Sequence, residues 1–444
     1  MQSAAQKRTV RPLREGASKA PAGGGNEKDV SLTARVPALA PFQVRSFRYQ
    51  WPADLLASWA FEMEGVILGW FVLVSTGSVL ALAVFGALQF LGTLISPLFG
   101  MAGDRIGNRN VLCLMRAVYV AVASALAVLF LTGLAAPWPV FILATVMGLV
   151  RPSDITLRNL LVGETMPSDY LMRAMGVSRT TADSARVVGA LSGAALVALL
   201  GSGLAYVGVC LFYAASLALT FNVGTRRVRM LSDQPHAAPL SALREGFVYV
   251  WSLPAMRAVM LLAFLVNLAA YPLVGSMLAY VARDIYGLGQ TGMGWLLACF
   301  SGGALAGSII ISTHGAGIRA ARTMLVCALL WFALNLAFAW IETPLWGQVV
   351  LFLAGFVQSF CMIPMAVILL RIADPPFRGR VMGVRMLAVY GMAVGLLLVG
   401  PLVEHVGFAV TGSVFSLVGI AFTVLIAVRW RHHLWDVAAN ANAR

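Results

Sequence analysis

Long stretches without any charged side chain set the strongest constraint on the fold of this chain. Residues 65–103 and residues 117–150 contain no Asp, Glu, Lys or Arg. A helix needs about 20 apolar residues to cross a bilayer, so each stretch is long enough to cross, turn and return. Backbone inside hydrocarbon must satisfy its own hydrogen bonds, as a helix does. The sequence therefore predicts pairs of membrane-spanning helices.

The composition excludes a water-soluble protein. Hydrophobic residues make up 60% of the 444 residues and charged residues only 11%. No soluble fold can bury so much apolar surface. We predict an all-α integral membrane protein with two pseudo-symmetric bundles of six helices. The twelve spans are expected at residues 54–75, 79–101, 110–131, 137–159, 176–200, 203–223, 257–280, 290–312, 320–341, 345–370, 380–403 and 406–429.

The spans divide the chain into five segments. Residues 1–50 are basic and rich in Ala, Gly and Pro, so we expect a disordered tail, without the apolar core of a signal peptide. Residues 51–223 and 257–430 form the bundles, residues 224–256 the linker, and residues 431–444 a second tail. Apolar residues at helical spacing predict an amphipathic helix on the membrane surface in the linker. They are Leu240, Leu243, Phe247, Val250 and Trp251.

The distribution of charge indicates the orientation. The net charge is +14, which in a soluble protein would suggest a nucleic-acid partner. Here all three lysines lie in the first 28 residues, and on the predicted topology Arg283 is the only basic residue on the far side. By the positive-inside rule, both termini are expected in the cytoplasm. We expect the protein in the plasma (inner) membrane. We expect contact with the lipid bilayer and none with nucleic acid.

A short charged sequence, GMAGDRIGNR at residues 100–109, separates predicted spans 2 and 3. It resembles the signature loop between helices 2 and 3 of the major facilitator superfamily of transporters, with Asn108 where a second basic residue is common. The resemblance implies the major facilitator fold and transport by alternating access.

The same resemblance implies a conformational latch, in which Asp104 braces the cytoplasmic end of the second half. An aspartate is stabilised near the N-terminus of a helix, here span 11, and Arg378, Arg380 and Arg385 would add to the attraction. The alternative is a turn that only sets the topology. The loop residues assigned to this latch are Gly100, Asp104, Arg105, Gly107 and Arg109.

The two halves of the chain share a short repeated sequence, and three segments resemble one branch of the superfamily. Residues 173–177 (RAMGV) before span 5 recur as residues 380–384 (RVMGV) before span 11, as expected for repeats that rock around a shared site. Three segments resemble the branch that contains the enterobactin exporter and macrolide-efflux permeases: residues 167–175, 240–254 and 378–382. That resemblance implies proton-driven export of small apolar or amphipathic molecules.

The chain departs from this branch in two places. Span 5 reads GALSG at residues 189–193, without the proline that drug antiporters commonly carry there, although the small residues still allow close helix contact. The second-half copy of the signature loop, residues 315–322, has lost its Asp-Arg pair.

Glu62 and Glu64 lie inside predicted span 1. At about 1.5 Å per residue they are about 12 and 15 Å beyond Asp54, and an ionisable group at such depth is a functional candidate. Two residues apart, they are about 200° apart around the helix and cannot face one cavity. We interpret at least one as a proton carrier or a substrate-binding group; the alternative is pairing with an arginine.

Two charged triads lie at the cytoplasmic ends of spans 4 and 5. Either spacing places three charges on one helical face. We expect the two stripes to interlock as a network that closes the cytoplasmic gate, with interfacial anchoring by snorkelling arginines as the alternative. Arg116 on span 3 is also expected to snorkel. The triads are Arg151, Asp154 and Arg158, and Arg179, Asp183 and Arg186.

Five polar residues lie on spans that line the central cavity in the family that the chain resembles. They are candidates for hydrogen bonds to substrate, with helix-to-helix hydrogen bonds as the alternative. They are Gln89, Asn267, Tyr271, Gln358 and Tyr390. The sequence has no Gly-Lys-Ser/Thr phosphate loop and no His or Cys cluster, so we expect neither an enzyme nor a cofactor or metal.

These patterns predict a monomeric, proton-coupled exporter of a small amphipathic compound, a drug or a siderophore-like metabolite. Glu62 or Glu64 is expected to couple protons, and Asp104 with Arg105 to form the latch. Proton-coupled uptake of a small metabolite is the first alternative; the uncharged spans of the second half argue against it, because an anionic substrate usually needs a central Arg or Lys. A non-transporting lipid-handling or receptor-like protein is the second.

Overall fold

The computed structural model describes residues 37–93, 95, 99, 102, 103, 105–224, 239–314, 319–374 and 377–434. The chain falls into two units, Met1–Ala40 and Pro41–Arg444. Of the first unit, residues 37–40 are described, at the start of the 3-10 helix Pro37–Gln43. The second unit contains the α-helices.

Six helices form the first bundle. They are α1 (Arg45–Thr76), α2 (Val79–Leu88, followed by a 3-10 turn at Leu91–Thr93), α3 (Asn108–Leu131), α4 (Pro137–Thr165), and α5 and α6, which share the segment Ser168–Phe221. Gly201 separates α5 from α6 because its φ of 77° and ψ of 167° interrupt the helix, a conformation that glycine adopts without a steric penalty.

A linker helix (Pro239–Ser252) precedes the second bundle. The bundle contains α7 (Pro254–Ala269, continued by the turns Tyr271–Val274, Leu278–Tyr280 and Val281–Ile285), α8 (Gln290–His314), α9 (Ala320–Ala339), α10 (Pro344–Ile372), α11 (Arg378–Leu387 and Tyr390–Val406) and α12 (Phe408–Arg429). Because successive spans alternate in direction, α1, α5, α7 and α11 begin on the side of the linker helix, which we call the linker side.

The predicted twelve-span fold is confirmed. In the described part of the chain, ten helices are long and apolar enough to cross a membrane, and a shorter apolar helix covers Val79–Thr93. One of the ten, Arg173–Phe221, is the α5–α6 pair divided at Gly201. The predicted end of span 2 at residue 101 lies outside the described residues.

The predicted disordered tail is wrong where it reaches α1. This helix begins at Arg45, inside the segment 1–50. Phe47 is fully buried and packs with Val162, Met166 and Ala174 from α4 and α5. Burying an aromatic side chain contributes about 2–3 kcal/mol, which orders the first turns of α1. Residues 1–36 lie outside the described residues.

The linker helix matches its predicted position, but its apolar residues do not share one environment. Val250 is fully buried, whereas Phe247 and Trp251 are 46% and 40% exposed. The two exposed rings stack on each other with centroids 4.6 Å apart. The side chains of Leu240 and Leu243 lie outside the described residues.

Within each bundle, glycines bring the same pair of helices into close contact, α1 with α5 in the first and α7 with α11 in the second. A Cβ at Gly193 of α5 would lie 2.8 Å from Cα of Met63 on α1, and a Cβ at Gly391 of α11 would lie 2.7 Å from the carbonyl oxygen of Phe264 on α7. The close helix contact expected at the glycines of span 5 is therefore confirmed. Helices α1 and α5 in the first bundle correspond to α7 and α11 in the second, as the sequence repeat predicts.

The bundles also contact each other through small residues. A Cβ at Gly400 of α11 would lie 2.6 Å from that of Ala83 on α2, and one at Gly294 of α8 would lie 2.5 Å from that of Ala194 on α5. These two contacts pair α2 with α11 and α5 with α8. The interface between the bundles is thus itself pseudo-symmetric.

Candidate functional site

Glu62 and Glu64 on α1 face different parts of the first bundle. Glu64 is 7% exposed, and its carboxylate accepts hydrogen bonds from the hydroxyls of Tyr206 (3.1 Å) and Tyr213 (2.8 Å) on α6. Glu62 lies towards α5, where its Oε1 is 3.6 Å from Nε of Arg186. The prediction that the two carboxylates do not share one cavity is confirmed.

Glu64 lines a crevice inside the first bundle, between α1, α2 and α4. The crevice has about 300 Å³ of empty volume, counted together with the open space at its mouth. Its polar side chains are those of Glu64, Gln89 and Arg151, and its other lining residues are Gly65, Leu68, Phe85, Ala144, Met147 and Gly148. Arg151 donates a 2.6 Å hydrogen bond to Oε1 of Gln89. Among the described residues, Glu64 has no ion-pair partner, so neutral hydroxyls hold its carboxylate.

The triad on α5 shares one helical face, as its spacing predicts. Asp183 lies 3.2 Å from Nε of Arg179 and 3.7 Å from Nη1 of Arg186. Asp183 is buried, whereas the side chain of Arg179 is 63% exposed. Through Arg186 the triad reaches Glu62 on α1. The charges of α5 therefore connect to α1.

The charges of α3 and α4 converge on Asp54 of α1 in a buried cluster. Arg116 of α3 is fully buried, forms an ion pair with Asp54 and donates a hydrogen bond to Thr220. Arg158 of α4 pairs with Asp154 on its own helix and has its Nε 3.6 Å from Asp54. Four charged side chains from three helices are thus held together in the interior of the first bundle, and Thr220 of α6 adds a hydrogen bond.

Two predictions about these charges are wrong. Arg116 does not snorkel to the interface, because Asp54 gives it a carboxylate partner in the interior. The triads of α4 and α5 do not interlock in the described structure, because each pairs with a carboxylate of α1 instead. Sequence reasoning missed Asp54, which stands at the first position of predicted span 1. The signal for the pairing is an Asp at the start of span 1 and an Arg within the first two turns of span 3.

The polar residues of the second bundle form hydrogen bonds between and within helices. Gln358 of α10 donates to the hydroxyl of Tyr271, and Asn267 donates to the carbonyl oxygen of the preceding turn (2.8 Å). The hydroxyl of Tyr390 donates to the carbonyl oxygen of Leu91 in the first bundle (2.8 Å). Their role towards a substrate stays a prediction. Gln89, placed in the same predicted cavity, bonds instead inside the first bundle.

The signature loop is described in part. Gly100 and Asp104 lie outside the described residues, so the predicted brace to α11 does too. Arg105 is exposed. Gly107 has a φ of 91° at the start of α3, which explains the glycine. Arg109 donates a 3.2 Å hydrogen bond to a backbone carbonyl just beyond α6, so it holds α3 to the end of the first bundle.

The arginines at the start of α11 have separate surroundings. Arg380 forms a 2.8 Å ion pair with Glu245 of the linker helix, which ties the start of α11 to the linker. The side chain of Arg378 lies outside the described residues. Arg385 lies two turns into α11 and is half-buried.

The sequence over residues 36–444 matches the family model described as transmembrane secretion effector. The chain belongs to this family of major facilitator transporters. The prediction that it is a transporter and not an enzyme is confirmed by the family and by the solved structures that resemble it. No curated protein sequence matches the chain.

Several solved transporters have the fold of this major facilitator protein. The nucleoside transporter NupG is 14% identical, over 86% of this chain and 98% of its own, with a TM-score of 0.66. The human organic anion transporter MFSD10 (TETRAN) is 17% identical over 86% and 99%, with a TM-score of 0.60. A bacterial homolog of the human lysosomal transporter Spinster, inward-facing and unoccupied, is 14% identical over 90% and 98%, with a TM-score of 0.62.

The two bundles of this major facilitator transporter are joined on the side opposite the linker. Glu404 at the end of α11 accepts hydrogen bonds from the hydroxyl of Ser78 (2.7 Å) and the N–H of Leu80 (2.9 Å) at the start of α2. Nearby, Arg283 donates to the carbonyl oxygen of Leu73 at the end of α1 (2.8 Å). Sequence reasoning missed Glu404, because it falls just beyond predicted span 11. Its carboxylate caps an N-terminus on the other bundle.

Proposed function

We propose that this transporter exports a small amphipathic compound, a drug or a siderophore-like metabolite, in exchange for protons. The linker side is the cytoplasmic side of the plasma (inner) membrane, which the positive-inside distribution supports. Alternating access by a monomer is supported by the pseudo-symmetric contacts of α1 with α5 and of α7 with α11, because related bundles can rock around a site between them.

The burial of Glu64 on a crevice that also holds the polar side chains of Gln89 and Arg151 is the observation that carries the proposal. Burial disfavours an ionised carboxylate, whereas the hydroxyls of Tyr206 and Tyr213 stabilise it. These opposed influences, without an ion pair among the described residues, suit a group that gains and loses a proton. We propose that protons reach Glu64 through this crevice, which Gln89 and Arg151 make polar. Glu64 is therefore the proposed proton site.

We assign to Glu62 the second role that the sequence allows, which is binding of substrate. Its ion pair with Arg186 matches the alternative of a carboxylate held by an arginine, and it places Glu62 beside α5, which packs on the second bundle at Gly294. We assign Glu62 to the region where substrate contacts the bundles. The latch on the cytoplasmic side is assigned to Asp104 and Arg105, and the contact that closes the opposite side to Glu404.

The test uses inverted membrane vesicles that contain a pH-sensitive dye and are energised to acidify their interior. Candidate drugs and siderophores are added one at a time. Wild-type vesicles should release protons on addition of a substrate, and Glu64→Gln vesicles should not. Glu62→Gln should still release protons, with a changed apparent affinity. Glu342→Gln, an exposed carboxylate on the opposite side, is the matched control. Proton release by Glu64→Gln at the wild-type rate would exclude Glu64 as the coupling group.

Proton-coupled uptake is the alternative, and the fold that the chain shares with a nucleoside transporter is compatible with it. Uptake would give accumulation of labelled nucleosides in whole cells and no proton release from inverted vesicles with drugs or siderophores. A lack of response in both assays, with retained expression, would favour the lipid-handling protein on the same scaffold.

A further inference from the structure

Arg151 of α4 and Glu64 of α1 line the same crevice, yet each is bound to uncharged groups. Nη1 of Arg151 donates a 2.6 Å hydrogen bond to Oε1 of Gln89 on α2. The two oxygens of Glu64 accept hydrogen bonds from the hydroxyls of Tyr206 (3.1 Å) and Tyr213 (2.8 Å) on α6. A positive and a negative group therefore share one crevice, each held by its own neutral partner.

The guanidinium of Arg151 lies beside the stretch of α1 that carries Glu64. Its Cζ is 4.6 Å from the centroid of the Phe61 ring, and Phe61 precedes Glu64 by three residues on α1. Residues three apart are neighbours on one face of a helix, with Cβ atoms about 5–6 Å apart. The Phe61 ring also packs on Tyr213, with centroids 5.6 Å apart. A change of rotamer in the long arginine side chain can thus bring its charge to the carboxylate.

The protonation state of Glu64 decides which partner Arg151 prefers. A protonated carboxyl is neutral, so the arginine keeps the amide of Gln89 and the face of Phe61. An ionised carboxylate forms charge-assisted hydrogen bonds with a guanidinium, which are roughly twice as strong as neutral ones. Loss of the proton therefore favours the ion pair over the neutral contacts.

The hydrogen bond that would be lost holds α4 against an interruption in α2. Helix α2 ends at Leu88 and continues as the 3-10 turn Leu91–Thr93, and such a stretch within a span often marks a hinge. The two backbones touch there, because a Cβ at Gly148 of α4 would overlap the carbonyl oxygen of Leu88. The carbonyl oxygen of Leu91 accepts a 2.8 Å hydrogen bond from the hydroxyl of Tyr390 on α11. The interruption of α2 therefore contacts both α4 and the second bundle.

We propose that Arg151 is a switch that pairs with Gln89 while Glu64 is protonated and with Glu64 after the proton has passed to water in the crevice. The exchange of partners releases α2 from α4, so that the second bundle responds through the contact of Leu91 with Tyr390. The inference rests on the proposed proton site and adds the residue that transmits its state. Arg151 is thus a positioning residue that acts through Glu64 and α2.

The other ionisable groups that face Glu64 in the described structure are tyrosines. Tyr206 and Tyr213 bond its carboxylate, and the ring of Tyr119 on α3 lies behind that of Tyr213, with centroids 5.4 Å apart. Tyrosines stay protonated near neutral pH, and the polar group that α2 contributes to the crevice is an amide. Arg151 is therefore the charge that a titration of Glu64 should detect.

The experiment titrates Glu64 in the purified full-length protein in detergent, without substrate or a proton gradient. Infrared difference spectra record the C=O band of the protonated carboxyl, and its absence in Glu64→Gln assigns the band. Arg151→Gln should move the midpoint of this titration up by about 1 pH unit or more, because the carboxylate loses its positive partner. Gln89→Leu should move the midpoint down, because Arg151 loses the acceptor that competes with the carboxylate. Arg151→Lys, which keeps the charge, should stay closer to wild type than Arg151→Gln.

A second measurement follows α2. At a pH at which wild-type Glu64 is ionised, Glu64→Gln mimics the protonated state, so hydrogen exchange at residues 89–93 should be slower in the variant. Arg429→Gln, an exposed arginine beside Trp430 at the end of α12, is the matched control and should behave like wild type in both measurements.

The opposite directions of the two midpoint shifts distinguish a switch from general damage to the crevice. Equal midpoints in wild type, Arg151→Gln and Gln89→Leu, or shifts of both variants in one direction, would overturn the switch. Equal exchange in wild type and Glu64→Gln would overturn its link to α2. In these cases proton release from the vesicles would still support export with Glu64 as the proton site. A Glu64 band that does not titrate while the protein is folded would overturn the proton site and the switch together.

Discussion

Replacing Asp54 with Asn tests whether the buried charge cluster stabilises the first bundle. Arg116 is fully buried and has Asp54 as its carboxylate partner. In Asp54→Asn the guanidinium would keep only neutral acceptors, the hydroxyl of Thr220 and the carbonyl oxygen of Ser216. Breaking a buried ion pair from one side costs about 3–5 kcal/mol. Because Asp54 is 14% exposed, we expect the lower end, about 3 kcal/mol.

The assay is thermal unfolding of the purified protein in detergent. With a shift of about 2 °C per kcal/mol for a large domain, Asp54→Asn should lower the apparent Tm by about 6 °C. The matched control is Asp284→Asn, which removes the carboxylate from a partly exposed pair with Arg283. Such a pair contributes about 0–1 kcal/mol, so its Tm should change by less than about 2 °C.

A double variant separates charge pairing from simple packing damage. Asp54→Leu with Arg116→Met removes both charges, and apolar replacement of a buried pair is often neutral for stability. We therefore expect the double variant to recover most of the Tm that Asp54→Asn loses. The reasoning is refuted if Asp54→Asn has the same Tm as the Asp284→Asn control, or if the double variant has a lower Tm than Asp54→Asn.

Three further variants test other contacts. Glu404→Gln should weaken the closure of the opposite side by about 1 kcal/mol, because an exposed charged acceptor becomes neutral. Distances between spin labels on the α3–α4 and α9–α10 connections of a cysteine-free protein report this closure, and the population of molecules with widely separated labels should grow roughly fivefold. Glu342→Gln should leave that population unchanged. Gly193→Val should lower stability by about 1–3 kcal/mol through overpacking against α1, whereas Gly163→Val, with no atom within 4 Å of its added Cβ, should have a smaller effect in the same thermal assay. Glu245→Gln should release the linker helix from α11 and speed its proteolysis, and a cleavage rate equal to that of wild type would contradict the importance of that ion pair.

The positions of the spans could be predicted from the sequence because charge is excluded from hydrocarbon. Stretches such as residues 65–103 can hardly adopt another structure in a membrane. The beginning of α1 was predictable only in part, since Phe47 lies in a basic segment and its burial depends on residues more than 100 positions away in α4 and α5. Local composition carries no information about such a contact.

The pairing of side chains within the site was beyond sequence reasoning for a similar reason. The spacing of Glu62 and Glu64 required different surroundings, but it could not say that tyrosines would hold one and an arginine the other. Depth alone suggested that Arg116 snorkels, because Asp54 is its neighbour only after α1 and α3 pack.

The glycine turn at Gly201 gives the first bundle a mechanical property. With no loop between them, α5 and α6 form one stiff hairpin, and a displacement of either must move the other. The single helix α1 touches both arms of this hairpin, through Glu62 on one face and Glu64 on the other. Movement of α5 against the second bundle would therefore shift the tyrosines around the buried carboxylate as well. Substrate binding and proton binding would then be coupled by the rigid movement of α5 and α6 about Gly201, without a flexible segment between them.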